Sequence, residues 1–214
     1  MILGAIFDLD GVLVDTAKYH YTAWKELAEQ LMIPFDEQAN ENLKGVSRVE
    51  SLDILLALGK KKYSQAEKEQ FLRKKNLDYL NLIREMTPEE VLPGVRTVLS
   101  FLNNNGIKLA IGSASRNAQT ILKATELSDY FDEIVDGNDV ENAKPDPEVF
   151  FTAAKRISVE PRKCVVFEDS RAGCLAAKTA QMYCVGIGER VKLPEADTVI
   201  KGFVDFDMVK IIDA

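Results

Sequence analysis

The sequence predicts an α/β fold: a doubly wound, mostly parallel sheet with a separate all-helical cap inserted after the first strand. Three observations lead there. Residues 1–7 form an apolar run that ends in Asp8-Leu9-Asp10-Gly11. Residues 16–90 show helical periodicity and no strand pattern. Beyond Pro93-Gly94, short apolar segments alternate with amphipathic helices, the pattern of a parallel sheet covered on both faces. The expected domains are 1–15 with 91–214 as a Rossmann-like core, and 16–90 as the cap.

Each element has its own signal. Met1–Phe7 reads as a buried strand. Ala23, Leu27 and Leu31 recur at helical spacing with Trp24 beside them, and Pro34 stops that helix. Val49, Leu52 and Leu56 mark a second helix ending at Gly59. Ser64-x-x-Glu67 has the form of a capping box and opens a long third helix that runs to about Arg84. In the core, Val95–Asn104 reads as a helix stopped by Asn105-Gly106, and Ile107–Ile111 as a strand. A helix through Ala118 and Leu122, a strand at Glu133–Val135 and a helix at Val149–Arg156 follow. Lys163–Phe167 is a strand, Ala172–Thr179 a helix, and Tyr183–Ile187 and Thr198–Ile200 are strands.

Composition bounds the function. The chain has 214 residues, 46% hydrophobic and 29% charged, as a globular protein with a full core has. A net charge of −7 argues against non-specific nucleic-acid binding. No apolar segment is long enough to span a bilayer, and Asp8 cuts the first apolar run too short for a signal peptide. Cys164, Cys174 and Cys184 are odd in number, lack metal-site spacing and sit among apolar neighbours, so they read as small buried hydrophobes. The expectation is a cytoplasmic protein, monomeric by size, with no nucleic-acid or membrane partner.

The chemistry is concentrated at strand ends, where open α/β sheets bind ligands. Asp8 and Asp10 share one face if the strand geometry persists. Two like charges about 4 Å apart repel by about 4 kcal/mol at an effective dielectric near 20, which a divalent cation with oxygen ligands would relieve. Ser113, Lys144 and the pair Glu168-Asp169 follow at or near the ends of later strands. Taken singly, each has a structural explanation as a cap or turn. In the cap, Leu43-Lys44-Gly45-Val46-Ser47-Arg48 allows two readings. Its N–H groups and arginine fork suit a phosphate, or Ser47 simply caps a helix with Lys44 and Arg48 solvated.

Asp8-x-Asp10-Gly11-x-Leu13-x-Asp15, followed in order by Ser113, Lys144 and Glu168-Asp169, resembles the haloacid dehalogenase superfamily of phosphoryl-transfer enzymes. Within it the chain is most similar to the β-phosphoglucomutase family. That similarity is carried by Thr16, His20, Trp24, the 43–48 stretch, Ser51-Leu52, Lys75-Asn76, Ser113-Ala114-Ser115-Arg116-Asn117 and Lys144-Pro145-Asp146-Pro147. The resemblance implies that Asp8 is the nucleophile and Asp10 the general acid and base. It implies that Ser113 and Lys144 hold the transferring oxygens. Mg²⁺ would be bound by Asp8, Asp169, Glu168 and the Asp10 carbonyl. Arg48, with Arg116 and Asn117, would grip a second phosphate. Lys75, Lys44, Gly45, Val46 and Ser47 would contact the sugar, with Trp24, Ala114 and Ser115 in the same substrate region. Thr16 and His20 would couple cap closure to Asp10. Val49 follows Arg48 where some relatives carry an acid, and is expected to face the cap's own core.

The implied activity is interconversion of β-D-glucose 1-phosphate and β-D-glucose 6-phosphate, with β-D-glucose 1,6-bisphosphate as intermediate and activator. A hydrolase of the same superfamily, acting on a small sugar or organic phosphate, would share the core residues. A phosphosugar-binding regulator with a dead site is disfavoured by the complete set of six core residues.

Overall fold

The computed structural model describes residues 1–43, 46–204 and 208–212. Its sheet comprises β1 (Gly4–Phe7), β2 (Lys108–Gly112), β3 (Glu133–Val135), β4 (Cys164–Glu168), β5 (Tyr183–Ile187) and β6 (Thr198–Ile200). The strand order is β3-β2-β1-β4-β5-β6, and every pairing is parallel. The first strand is therefore central, with a strand on each side running the same way. The strand order reverses there, and the crevice at the carboxyl end of β1 is where such sheets place ligands.

Side-chain alternation divides the core into two layers. Ala5 and Phe7 of β1, Leu109 and Ile111 of β2, and Val165 and Phe167 of β4 face one side. Helices α5 (Val95–Asn104) and α6 (Ala118–Ala124) cover that face. Phe7 stacks on Phe167 with ring centroids 4.6 Å apart. Ile6, Ala110, Val166 and Cys184 face the other side, under α7 (Glu148–Arg156) and α8 (Arg171–Thr179). The three cysteines are buried and unpaired, as their apolar surroundings implied.

Between β1 and the rest of the sheet lie α1 (Ala17–Gln30), α2 (Glu37–Glu41), α3 (Arg48–Leu58) and α4 (Gln65–Ile83). They bury a separate apolar cluster of Trp24, Leu27, Leu31, Ile33, Leu52, Leu55 and Leu56. The capping box forms at Ser64 and Glu67. The ingoing and outgoing segments run side by side: Asp15 N–H donates to the Glu90 carbonyl at 3.1 Å and Leu92 N–H to the Leu13 carbonyl at 2.9 Å. Lys18 and Tyr19 both reach the Glu90 carboxylate at 2.7 Å.

Three local expectations differ from the structure. Pairing in β1 begins at Gly4, and Met1 lies out in solvent. The short helix α2, capped by Asp36, escapes the periodicity because five residues give no repeat. Val49 does not face the cap core: it is 57% exposed. The inward stripe of α3 is Arg48, Ser51, Leu52 and Leu55 at i, i+3, i+4 and i+7, which leaves position 49 about 100° to one side.

Candidate active site

Three neighbouring strands deliver the core residues. Asp8 continues the β1–β4 pairing, its N–H donating to the Phe167 carbonyl at 2.9 Å. Asp10 lies in the following turn. Gly11 makes that turn with φ +79°, and a Cβ there would collide with Asp169 Oδ2. The Asp169 carboxylate thus rests against the Asp10–Gly11 backbone. Ser113 follows β2 and is fully buried. Lys144 enters from the loop between β3 and α7. At 1% exposure, its ammonium donates to Asp8 Oδ1 and Glu168 Oε1, each at 2.6 Å.

The charges in this pocket do not balance. Burial pushes the Asp8 carboxyl up to about 7; Lys144 pulls it down, and Glu168 and Asp10 push it further up. Burial also raises Asp10, against the hydrogen bond from Thr16 and the charges of Lys144 and Lys75. Burial opposes the Lys144 ammonium, yet Asp8 and Glu168 outweigh it and hold its pKa above the ordinary lysine value.

A divalent cation would relieve this excess. Among the described residues no three His, Cys, Asp or Glu side chains stand together as a ready cage. The Lys144 ammonium bridges Asp8 and Glu168. Glu168 is further held through Oε2 by the Ser170 N–H at 2.6 Å and the Ser170 hydroxyl at 2.8 Å. Glu168 also anchors Lys144. Asp8, Asp169 and the Asp10 carbonyl, with Glu168 beside them, are hard oxygen donors and fit Mg²⁺.

The cap supplies the opposing wall. Thr16 is fully buried and donates to Asp10 Oδ1, so it braces the acid from below the cap. His20 Nε2 lies 4.0 Å from Asp10 Oδ1, and its Nδ1 is 2.9 Å from Lys75 Nζ. Burial, then Lys75 and Arg48, hold the His20 pKa well below the ordinary histidine value. Lys75 is 2% exposed, with its ammonium 4.9 Å from the Trp24 ring and 4.7 Å from the Tyr79 ring. Burial and Arg48 lower the Lys75 pKa to about 7, with Asp10 opposing. Arg48 is half-buried; burial and then the charge of Arg116 lower its pKa. Neither guanidinium has an ion pair among the described residues.

The sequence-expected residues thus divide. Asp8, Asp10, Lys144, Glu168 and Asp169 converge, with Ser113 at the adjacent strand end. Thr16 and His20 gather on Asp10, and Lys75 on His20. Ser47 spends its hydroxyl capping α3, accepting from the Glu50 N–H at 3.2 Å, and Val46 precedes it half-buried. The Ser47-cap reading and the Arg48 phosphate reading are therefore compatible. Trp24 belongs to the cap's apolar cluster and serves as the floor under Lys75. Ala114, Ser115, Arg116 and Asn117 form the loop from β2 to α6: Ser115 N–H donates to Ser113 Oγ at 3.1 Å and Asn117 N–H to Ser115 Oγ at 3.2 Å. Lys44 and Gly45 lie outside the described residues. Sequence reasoning missed Tyr79, whose buried ring stacks on His20 with centroids 4.1 Å apart. Its spacing of four from Lys75 on one helix was the available signal. A cavity of about 550 Å³ opens beside Gly11 and Asp169, between the core and Ala17 and Glu41 of the helical insert.

Fold and strand-end carboxylates together define a phosphoryl-transfer enzyme of the α/β type. The chain belongs to the haloacid dehalogenase-like hydrolase family, whose sequence profile matches residues 2–181. It is 46% identical over 205 residues to a β-phosphoglucomutase of Bacillus subtilis, covering 95% of this chain and 91% of that one. A phosphorylated carbohydrates phosphatase of Thermotoga maritima is 38% identical, over 82% of this chain and 80% of that one. The crystal structure of a β-phosphoglucomutase from Clostridium difficile superposes with a TM-score of 0.95 at 42% identity, covering 100% of this chain and 96% of that one. No helix among the described residues is long and apolar enough to cross a membrane.

Proposed function

We propose that the protein interconverts β-D-glucose 1-phosphate and β-D-glucose 6-phosphate through β-D-glucose 1,6-bisphosphate and an aspartyl-phosphate at Asp8. The observation that carries this reading is the second cationic wall. Arg48 from the cap and Arg116 from the core lie near enough for their charges to act on one another, with no acidic partner among the described residues, while Asp8 and Lys144 meet at the strand ends. One phosphate would react while the other is gripped, as a bisphosphate that turns over in place requires. The similarity to two β-phosphoglucomutases over nearly the full chain supports the same reading.

In the proposed cycle the phosphorylated Asp8 gives its phosphoryl group to a sugar hydroxyl. The bond from phosphorus to the Asp8 oxygen breaks, a bond to the sugar oxygen forms, and Asp10 takes the hydroxyl proton. The bisphosphate reorients, Asp8 attacks the other phosphorus, and Asp10 returns its proton to the departing sugar oxygen. Burial raises the Asp10 pKa, which suits a group that must hold that proton between the two steps. Lys144 offsets charge on the transferring oxygens, and Ser113 with nearby backbone N–H groups holds one of them. Mg²⁺, held by Asp8, Asp169 and the Asp10 carbonyl, would supply further charge neutralisation there. His20 is neutral and keeps Lys75 and Asp10 in register. Residues 16–90 act as a cap that swings on the paired segments around Leu13–Asp15 and Glu90–Leu92, and so excludes water from the phosphoenzyme.

A second reading, hydrolysis of a small phosphosugar, is favoured by the 38% relative that is a phosphatase. One assay separates them. With β-glucose 1-phosphate, Mg²⁺ and a trace of the bisphosphate, the mutase forms glucose 6-phosphate without free phosphate. Phosphate release without glucose 6-phosphate establishes the hydrolase instead.

A further inference from the structure

We propose that Asn76 is a positioning residue: it clasps the cap to the phosphate loop through one N–H of the Asn117 amide. The inference rests on the reading that a phosphosugar is enclosed between cap and core. Asn117, at the start of α6, donates from Nδ2 to Asn76 Oδ1 on α4 at 3.2 Å. The two residues are 41 apart in the chain, and the bond crosses from one wall of the site to the other.

This bond completes a path. From the end of β2, Ser113 Oγ accepts from the Ser115 N–H, Ser115 Oγ accepts from the Asn117 N–H, and the Asn117 side chain then reaches Asn76. The next residue back along α4 is Lys75, which meets His20, and His20 faces Asp10. On the hinge side, cap and site are joined by Thr16 and His20 on Asp10. On the far side Asn76 joins them to the loop that carries Ser113 and Arg116. Any swing of α4 away from the core breaks the Asn76 bond and draws Lys75, with the His20 bonded to it, away from Asp10.

A bond present only in the closed form favours it by about two- to tenfold, the usual worth of one neutral hydrogen bond. The test compares the wild type with Asn76→Leu, which removes the acceptor, and Asn76→Asp, which keeps an oxygen there. In small-angle X-ray scattering of the full chain with Mg²⁺ and no sugar, wild type and N76D should share one radius of gyration and N76L should be larger. N76L should also raise KM for β-glucose 1-phosphate about two- to tenfold with kcat unchanged, since the lost contact serves ground and transition states alike. If N76L does not fold, Asn117→Ala removes the donor from the core side and must give the same enlargement. Equal radii for all variants overturn the clasp, whatever reaction the enzyme performs. A failure of the mutase reading shows separately, as wild type that forms no glucose 6-phosphate.

Discussion

Binding of Mg²⁺ near neutral pH should expel protons from this protein. The Asp8 carboxyl is raised to about 7 by burial and by Glu168 and Asp10, yet only its anion ligates metal. About nine-tenths of Asp8 is then protonated at pH 6, about half at pH 7 and about a tenth at pH 8. Each Mg²⁺ bound should release roughly those fractions of a proton; Asp10 ligates through its carbonyl, so its own proton is not displaced by ligation. Lys144→Met sharpens the expectation. At 2.6 Å the Lys144–Asp8 attraction is worth about 6 kcal/mol gross at an effective dielectric of 20. Without it Asp8 titrates higher, and substantial release persists at pH 8. Calorimetry of metal-free protein in buffers of different ionisation enthalpy measures the release directly. Less than about a fifth of a proton per ion at pH 6 would refute the charge accounting. Stability follows with a definite sign. Between about 4 and 7 the metal-free native state binds a proton that the unfolded chain does not, so stability falls as pH rises through that window. Saturating Mg²⁺ should flatten the slope.

Three further outcomes are expected. Gly173→Ala places a Cβ against Glu168 Oε1 and forces that carboxylate off Lys144, costing about 3–5 kcal/mol in urea unfolding; a loss under about 1 kcal/mol contradicts the close approach. Lys75→Met should stabilise the protein by about 1–4 kcal/mol at pH 6 and by little near pH 10. The sign follows because wild-type Lys75 releases its proton near 7 when folded but near 10.5 unfolded, so its destabilising effect is full below 7 and fades as pH rises to 10.5. His20→Ala should slow turnover at saturating substrate while leaving Asp8 phosphorylation intact, read as phosphoenzyme yield against steady-state rate; an unchanged rate disproves the positioning role.

Much of this architecture is legible in one dimension. The strands at 133–135 and 183–187 and the helix at 95–104 fall where apolar spacing and turn residues put them. So does the capping box at Ser64, because capping is a contact between residues three apart. The strand-end acids, Ser113 and Lys144 are legible as a set, since parallel strands bring their carboxyl ends to one edge. The inward stripe of α3 was misread at Val49, because only the partner surface decides which of two adjacent residues in a first turn faces in.

What the sequence by itself determined is therefore the element order, the family of chemistry and the residues able to perform it. Tertiary structure alone decided their partners: Glu168 on Lys144, Trp24 under Lys75, Tyr79 against His20, and Asn117 tied to Asn76. The physical reason is range. Periodicity, caps and turns are settled within about one helical turn, whereas a buried charge or amide takes whichever partner the fold brings within about 3 Å, and that distance is set by segments far apart in the chain.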